Sequence, residues 1–303
     1  MKILYIGYGA LGRMIVEDIR KSGVGEIVGI VDPAVGDALP HLTAVNDWTQ
    51  IDIAVVTTSS DLSACASTLL ELLERGLPVV STCEELAWPW LRHGKLARKL
   101  DEVARKNGGR LVGTGVNPGF LMDAFPLLAS RVARRVDRVT VHRIQDATTR
   151  RLPFRQKIGA GLAEDAFAAK VASGALRHVG LGESLHFLAH YMDLPIDDWE
   201  ETIEPVRDIN GQIKGVRQIA RGMRGDDCPL ELLFQAAVGQ DDPHDRVAIH
   251  GDPDLEVSWR GGVHGDIATS SMVISTMAPL CAAQPGLHTM ATLPLTGRQS
   301  PSN

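Results

Sequence analysis

The sequence predicts an α/β protein with a doubly wound parallel sheet, followed by a second α+β domain that contains a mainly antiparallel sheet. Three observations support this prediction. Short apolar runs alternate with helical patterns over residues 1–115, a glycine-rich turn follows the first run, and the pattern changes near residue 136. Strands that alternate with helices are typical of parallel sheets, because each parallel connection needs a crossover.

The first part of the chain has the periodicity of a parallel sheet with crossover helices. Its predicted strands are residues 2–6, 26–31, 51–57, 78–82 and 110–113. Its predicted helices are residues 10–22, 61–75, 90–107 and 120–134. Four arginines have helical spacing at the end of the last helix and are expected to face solvent there. They are Arg131, Arg134, Arg135 and Arg138.

The second part of the chain reads mainly as strands. A strand at 136–145 precedes helices at 160–173 and 182–192, and five further strand-like runs follow between residues 200 and 260. A final helix is predicted over 266–283. The expected organisation is a dinucleotide-binding domain (1–135), a substrate and dimerisation domain (136–265), a C-terminal segment (266–295) that could pack back on the first domain, and a flexible tail (296–303).

Composition excludes several classes of protein. The 303 residues carry a net charge of −6, which gives no electrostatic reason to expect nucleic acid as a partner. No apolar run approaches the roughly 20 residues of a membrane span. The four cysteines lack paired spacing, as in proteins that keep reduced thiols. We therefore expect a cytoplasmic protein with no membrane or nucleic-acid partner.

The stretch GYGALGRM matches the GxGxxG pattern directly after an apolar strand. In a dinucleotide site Gly7 makes the turn, Gly9 lets the pyrophosphate approach the backbone, and Gly12 allows close packing of helix and strand. A tight turn without a ligand is the alternative. The intervening residues that we expect to line a Rossmann cofactor site are Tyr8, Ala10 and Leu11.

The second strand ends in an acidic residue at the position that strengthens this interpretation. Asp32 lies 20 residues beyond Gly12, where a carboxylate is expected to bind the adenosine ribose hydroxyls. Residues 33–50 contain no lysine or arginine, so that loop offers no cation to a 2′-phosphate. The sequence thus favours NAD, although Arg13 could still reach the phosphate of NADP.

Polar residues follow the next strands where the ligand crevice of such a sheet should lie. Thr57, Thr58 and Ser59 end the third predicted strand, and Thr82 and Cys83 end the fourth. We expect all five to line the cofactor site. For the stretch after the third strand, ordinary helix N-capping by Ser60 or Asp61 is the alternative.

Two adjacent carboxylates, Glu84 and Glu85, stand where the nicotinamide should lie. A helical turn would point them to different faces, so one of them is expected to serve in proton transfer. The alternative is a pair of solvated residues stabilised by the helix dipole. Asn117, in the loop GTGVNPGF, offers a donor and an acceptor to the nicotinamide amide or to a substrate nitrogen.

At this point the chain resembles the 2,4-diaminopentanoate dehydrogenases and the related native amine dehydrogenases, which are dihydrodipicolinate-reductase-like Rossmann enzymes. The resemblance rests on GYGALGRM, STCEEL, GTGVNPGF, RRLPFRQKIGAG and LRHVGLGES and extends from residue 1 to about 290. It implies NAD(P)-dependent oxidative deamination of an amine, or reductive amination of a ketone with ammonia. It also implies that Glu84 handles the amine, with Glu85 as the second candidate.

Two residues of these motifs are candidates for contact with substrate. Arg151 could bind a carboxylate as a planar fork, and His178 could form a pocket wall. The alternative for Arg151 is a surface charge. True dihydrodipicolinate reductases carry paired histidines ahead of a lysine, and this chain has no adjacent histidines, so that reaction is not expected.

No metal site is predicted. His186 and His190 are four residues apart on a predicted helix, but no third ligand is evident in the sequence. The leading interpretation is an amine or amino-acid dehydrogenase that acts as a homodimer. Two alternatives stay open: an enzyme that reduces a cyclic imine, and a non-catalytic NAD-binding regulatory protein.

Overall fold

The computed structural model describes residues 1–150 and 152–296, apart from the side chain of Pro153. The chain divides into two compact units. The first unit is formed by two segments of the chain, and the second unit lies between them in the sequence. The first unit is Met1–Phe120 together with the chain from Gly265 onward, and the second is Leu121–His264. Arg151 and most of the predicted C-terminal tail (297–303) lie outside the described residues.

The described residues form twelve strands and eight α-helices. In chain order they are β1 (Lys2–Ile6), α1 (Ala10–Ser22), β2 (Glu26–Val31), β3 (Ile53–Val56), α2 (Leu62–Glu74), β4 (Pro78–Ser81), α3 (Trp90–Asn107), β5 (Arg110–Gly113), α4 (Phe125–Ser130), β6 (Arg135–Asp146), α5 (Leu152–Lys157), α6 (Glu164–Ala172), α7 (Leu181–Tyr191), β7 (Asp198–Arg207), β8 (Ile213–Arg224), β9 (Asp227–Ala237), β10 (His244–Asp252), β11 (Leu255–Arg260), α8 (Gly265–Ala282) and β12 (Gly286–His288).

The first unit contains a six-stranded parallel sheet in the order β12-β5-β4-β3-β1-β2. Its central strands are buried and apolar, as expected where helices cover both faces. Helices α2 and α3 pack with each other and on one face, where β-strand residues such as Leu4 and Val56 share a core with Leu69 of α2 and Leu100 of α3. The predicted Rossmann arrangement is therefore confirmed.

The C-terminal helix α8 packs on β4, β5 and α1 within this first unit. The hydroxyl of Ser270 donates to Asp18 of α1 at 2.5 Å, and both Val273 and Met277 are fully buried. Strand β12 then adds to the edge of the sheet beside β5. Helix α8 and strand β12 therefore belong to the same unit as β1 and α1.

The second unit contains a six-stranded mixed sheet in the order β11-β10-β6-β9-β8-β7. Only β6 and β9 are parallel, so the predicted mainly antiparallel sheet is confirmed. Helix α7 packs against β8 and β9. Along β8, the buried Gln218 and Ala220 alternate with Arg217 and Ile219, as in a sheet with one covered face.

The predicted helix over 120–134 is confirmed as far as Ser130, but its last four residues, 131–134, are not helical. The chain makes a π-type turn over Phe120–Ala124, and α4 then ends at Ser130. Arg135 and Arg138 belong to β6, where they pair with Asp252 and His250 of β10. Helical spacing of the arginines was misleading because β pairing with a strand more than a hundred residues away decides their conformation.

No helix within the described part of the chain is long and apolar enough to cross a membrane.

Candidate active site

Five strands of the first sheet end on one common line. The register pairs Ile6 with Val31 and with Val56, Val56 with Ser81, and Ser81 with Gly113. The next residue of each strand therefore lies at the same edge, and the predicted site residues that do so are Gly7, Asp32, Thr57 and Thr82. Sequence-distant residues meet here because parallel strands align their carboxyl ends.

The glycine loop has the backbone geometry that requires glycine at two positions. Gly7 has φ +93°, and a Cβ at Gly12 would lie 2.2 Å from the carbonyl oxygen of Gly7. By contrast, a Cβ at Gly9 would meet no atom within 4 Å. The space beside Gly9 is thus open where a phosphate would approach.

The start of α1 is suited to an anion. Gly9 is the N-cap of α1, it supplies no side-chain cap, and the first turn of the helix contains no acidic residue. No side chain of the first turn of α1 therefore offsets the positive end of the helix dipole. The residues that flank Gly9 in this turn are all at least partly exposed; they are Tyr8, Ala10 and Leu11.

Asp32 reaches back to the glycine loop. Its Oδ2 accepts the backbone N–H of Tyr8 at 2.6 Å, and its Oδ1 accepts that of Ala34 at 2.8 Å. These bonds fix the carboxylate next to the turn that would hold the phosphates. Arg13 lies on the other side of Tyr8, with its Nε donating to the Tyr8 carbonyl at 3.2 Å and its guanidinium 5.4 Å from the ring centre.

The hydroxyl groups that follow β3 mainly form hydrogen bonds within the protein. Thr57 donates to the carbonyl of Gly7 at 2.7 Å and so supports the glycine turn from below. The Ser59 hydroxyl accepts the N–H of Asp61 at 3.1 Å, and Asp61 in turn caps α2 by accepting the N–H of Ser63 at 2.7 Å. Asp61 is therefore the cap of α2, Ser59 supports that capping residue, and Thr58 is half-buried beside Cys65.

Two buried thiols meet at this edge. Cys83 donates to the carbonyl of Ser60 at 3.3 Å, Cys65 donates to that of Ser59 at 3.5 Å, and the thiols also share a hydrogen bond. The interaction between the two thiols lowers the pKa of Cys65 and, together with burial, raises that of Cys83. Thr82, just before Cys83, is half-buried.

The side chains of the two adjacent glutamates have different surroundings in the structure. Both lie in a 3-10 turn, Glu84–Ala87, that follows β4. The Oε2 atom of Glu85 accepts the N–H of Leu62 at 2.9 Å and contacts Nε2 of His93 at 2.8 Å, and the side chain is 10% exposed. Glu84 is half-buried and one residue closer to the common line of strand ends. The carboxylate of Glu85 is thus bound to neighbouring elements.

The loop after β5 is closed by small residues and by α8. Val116 donates its N–H to the hydroxyl of Thr269 at 3.2 Å. A Cβ at Gly119 would lie 2.5 Å from the backbone nitrogen of Gly115, so the loop folds tightly on itself. Asn117 is buried at its centre. The amide of Asn117 is therefore held on a fixed backbone at the same edge of the sheet.

In the second unit, His178 is fixed by main-chain and ring contacts. Gln218 accepts the N–H of His178 at 2.6 Å and donates to its carbonyl at 2.9 Å. The imidazole stacks on Phe234, with ring centres 4.3 Å apart. Burial, together with the positive charges of Lys157 and Arg143, lowers the pKa of His178 to about 3. The ring is therefore neutral at physiological pH.

A buried ion pair lies inside the same unit. Nη1 of Arg143 donates to Asp245 at 3.1 Å, and both side chains are almost fully buried. Burial lowers the pKa of Arg143 and raises that of Asp245, while their attraction opposes both shifts. Val263 closes the network by donating its N–H to Asp245 at 2.7 Å and accepting from Arg143 at 3.1 Å.

Sequence reasoning did not single out His93, Cys65 or Thr269, each of which contacts a predicted site residue or its loop. Their partners are 6 to 153 residues away, and no local pattern signals such contacts. The same region holds a group whose ligand atoms lie within 4.8 Å of one another, formed by Asp61, Glu85 and His93. All three are already engaged, in the helix cap and in the Glu85–His93 pair.

Comparison with known proteins gives a consistent picture. Residues 120–299 match the family described as the 2,4-diaminopentanoate dehydrogenase C-terminal domain. A 2,4-diaminopentanoate dehydrogenase from Acetoanaerobium sticklandii is 25% identical, and the alignment covers 97% of this chain and 94% of that protein.

Solved structures agree on the fold. An amine dehydrogenase from Mycobacterium smegmatis superposes with a TM-score of 0.82 at 22% identity, over 98% of this chain and 97% of that one. The WlbA dehydrogenase from Bordetella pertussis, in complex with NADH and UDP-GlcNAcA, gives a TM-score of 0.54 at 14% identity, over 96% of this chain and 92% of that one. The family match spans more than half of the chain, so the protein belongs to the 2,4-diaminopentanoate dehydrogenase family, as its motifs predict.

Proposed function

We propose that this protein is an NAD(P)-dependent amine dehydrogenase, which deaminates a primary amine oxidatively or aminates a ketone reductively with ammonia. The main support is the common line of strand ends, which brings the glycine loop, Asp32 and the Glu84 turn to one edge of the sheet. Family membership supports the same reaction class, because the curated relative is named as a dehydrogenase of a diamine.

The residues present fit a dinucleotide. Open space beside Gly9 and the uncapped start of α1 suit a pyrophosphate. Asp32 is held where it can accept two ribose hydroxyls, which favours NAD because a 2′-phosphate would face a carboxylate. Arg13, held against Tyr8, is the cation that could accommodate NADP. Thr58, Thr82 and Cys83 remain proposed cofactor neighbours.

Glu84 is proposed as the base. An amine substrate reaches the enzyme as an ammonium ion, and the nitrogen lone pair is needed before the neighbouring C–H bond can release hydride. Glu84 would take one ammonium proton and leave the free amine. A bound nicotinamide would supply the hydride acceptor. Asn117 would orient the carboxamide of the cofactor or the substrate nitrogen, since its amide both donates and accepts.

The substrate itself is proposed only as a class, a small amine or ketone. His178 would present a neutral imidazole, because its pKa of about 3 keeps it unprotonated. A neutral ring on Phe234 can line a pocket without repelling an ammonium ion. Arg151 stays a proposed partner for a substrate carboxylate, if the substrate carries one.

A homodimer is the proposed assembly. The outward face of the second sheet carries Ile219 and Leu233 side by side between charged rows, including the Arg221–Glu231 pair at 2.8 Å. A two-fold partner would cover such a face, and two-fold assemblies are the commonest. Light scattering at working concentration should give twice the chain mass, and a monomer would overturn this part of the proposal.

The reaction is tested by a screen that follows cofactor absorbance. Diamines, amino acids and simple amines are offered with NAD or NADP, and ketones are offered with NADH and ammonia. Ammonia-dependent oxidation of NADH with a ketone is the expected result. Turnover of preformed cyclic imines without ammonia would instead identify an imine reductase. Cofactor binding without turnover of any substrate would indicate a regulatory protein.

A further inference from the structure

The side chain of Glu85 joins three separate elements of the first unit. Its Oε2 atom accepts the N–H of Leu62 at the start of α2 at 2.9 Å and contacts Nε2 of His93 on α3 at 2.8 Å. The backbone N–H of Glu85 also donates to the carbonyl of Ser60 at 3.3 Å. The turn after β4 is thus tied to the start of α2 through both main chain and side chain.

The turn that carries Glu84 has little stability of its own. It spans four residues, Glu84–Ala87, and is closed by the N–H of Leu86, which donates to the carbonyl of Cys83 at 3.1 Å. Helices this short depend on outside contacts for their conformation. The bonds of Glu85 therefore fix the turn, and with it the direction in which Glu84 projects.

Helix α3 is bent at the residue that completes this contact. His93 has φ −127° and ψ 38°, outside the helical region, between two helical stretches. Its Nδ1 lies 3.5 Å from the hydroxyl of Ser63 on α2. The imidazole is thus placed between α2 and the Glu84 turn, with one ring nitrogen directed to each.

We propose that Glu85 and His93 are positioning residues that hold Glu84 in its catalytic orientation. The proposal rests on the proposed role of Glu84 as the base. Neither residue needs to exchange a proton with substrate. Their task is to keep a weakly structured turn in one conformation, since a displacement of about 1 Å can cost roughly a hundredfold in rate.

The test compares variants that keep the contacts with variants that remove them. Glu85→Gln retains the oxygen that accepts from both Leu62 and His93, so we expect kcat within about threefold of the wild type. Glu85→Ala and His93→Leu remove the contact and should lower kcat by roughly 10–100-fold, with the dissociation constant of NAD nearly unchanged. His93→Gln keeps a donor and should restore most of the rate. Glu71→Gln, at a half-buried glutamate of α2 that pairs with Arg75, is the matched control.

A second measurement does not depend on activity. Hydrogen exchange of the amides of residues 84–92 should speed up in Glu85→Ala and His93→Leu, but not in Glu85→Gln, Glu84→Gln or Glu71→Gln. Unchanged exchange and unchanged kcat in both disrupting variants would overturn the proposal. Faster exchange with a fully active Glu84→Gln would instead refute only the role of Glu84.

Two further results would assign these residues differently. If Glu85→Gln loses activity as completely as Glu84→Gln should, Glu85 is itself the base and the positioning role is wrong. If EDTA inactivates the wild type and Zn²⁺ restores it, but His93→Leu cannot be restored, the cluster with Asp61 is a metal site instead. If Glu85→Ala does not fold, His93→Leu decides the matter alone.

Discussion

The two six-stranded sheets of this protein use polar residues in opposite ways. In the parallel sheet the strands are apolar, and polar side chains collect one residue beyond the strand ends, as at Asp32 and Thr57. In the mixed sheet polar residues lie within the strands themselves, as at Arg143 and Gln218. We infer that the first sheet carries the chemistry at its edge, whereas the ionic contacts of the second serve mainly its stability.

The largest effect should come from Glu84 at the edge of the first sheet. In Glu84→Gln the amide cannot take the ammonium proton, so turnover should fall by roughly 10²–10⁴, the usual contribution of general acid–base catalysis. NAD binding, measured by quenching of tryptophan fluorescence, should persist because the glycine loop and Asp32 are unchanged. Wild-type turnover should rise with pH as more of the amine is free.

A fully active Glu84→Gln enzyme would contradict the inference that the edge of the first sheet supplies the base. The base would then have to be sought elsewhere, beginning with His178 in the second unit. Glu85→Gln is the control, since its oxygen can keep both contacts of the native carboxylate.

The next largest effect should be on stability and should arise inside the second sheet. Arg143→Met leaves Asp245 buried without its partner, which typically costs about 3–5 kcal/mol of unfolding free energy. Arg246→Met is the matched control on the outer side of the sheet. The Arg246–Glu256 pair, at 2.6 Å, is about half exposed, so its loss should cost much less than the loss of the buried pair. Urea unfolding at neutral pH measures both, and equal losses would contradict the contrast between the inside and outside of this sheet.

These two regions also differ in how far the sequence predicts them. The glycine turn and Asp32 could be predicted because the motif is local and its spacing follows from one strand, one helix and the next strand. The pairing of Arg143 with Asp245 depends on the register of β6 against β10, which no local pattern contains. Arg135 and Arg138 were assigned to a helix for the same reason.

Within the candidate site, the sequence does not distinguish between the adjacent residues Glu84 and Glu85. The sequence indicates that one of two glutamates should serve the site, but the contacts of Glu85 come from Leu62 and from His93 on a bent helix. Likewise, β12 has only three residues, too short for a periodic pattern, and its place depends on β5. Long-range packing decides these features.

A third prediction concerns cofactor choice at Asp32. Asp32→Ala removes a charged acceptor for the ribose hydroxyls, worth about 1.5–3 kcal/mol, so the affinity for NAD should fall roughly 10–100-fold. Adding an arginine at Ala34 should at the same time raise the affinity for NADP. Titration of both cofactors against wild type and variant gives the ratio. A wild-type enzyme that prefers NADP strongly would contradict the proposed role of this carboxylate.

The smallest effect should be the acid sensitivity that His178 gives the second unit. Its folded pKa of about 3 lies below the ordinary histidine value of 6.5. Between these values the unfolded chain binds one more proton than the folded protein, so stability falls as the pH drops from 6.5 toward 3. Above pH 6.5 both states are neutral and this contribution is constant.

His178→Phe tests this linkage, because phenylalanine can stack on Phe234 in the same way but cannot be protonated. The ring keeps some exposure to solvent, so we expect the loss of stability between pH 7 and pH 5 to be smaller in the variant by about 1 kcal/mol. His41→Phe, at an exposed histidine, should leave that loss unchanged. If His178→Phe has the same pH dependence as the wild type, the imidazole is protonated in the folded protein. It would then carry a charge beside Arg143, and the second unit would have a titrating group where a neutral wall is proposed.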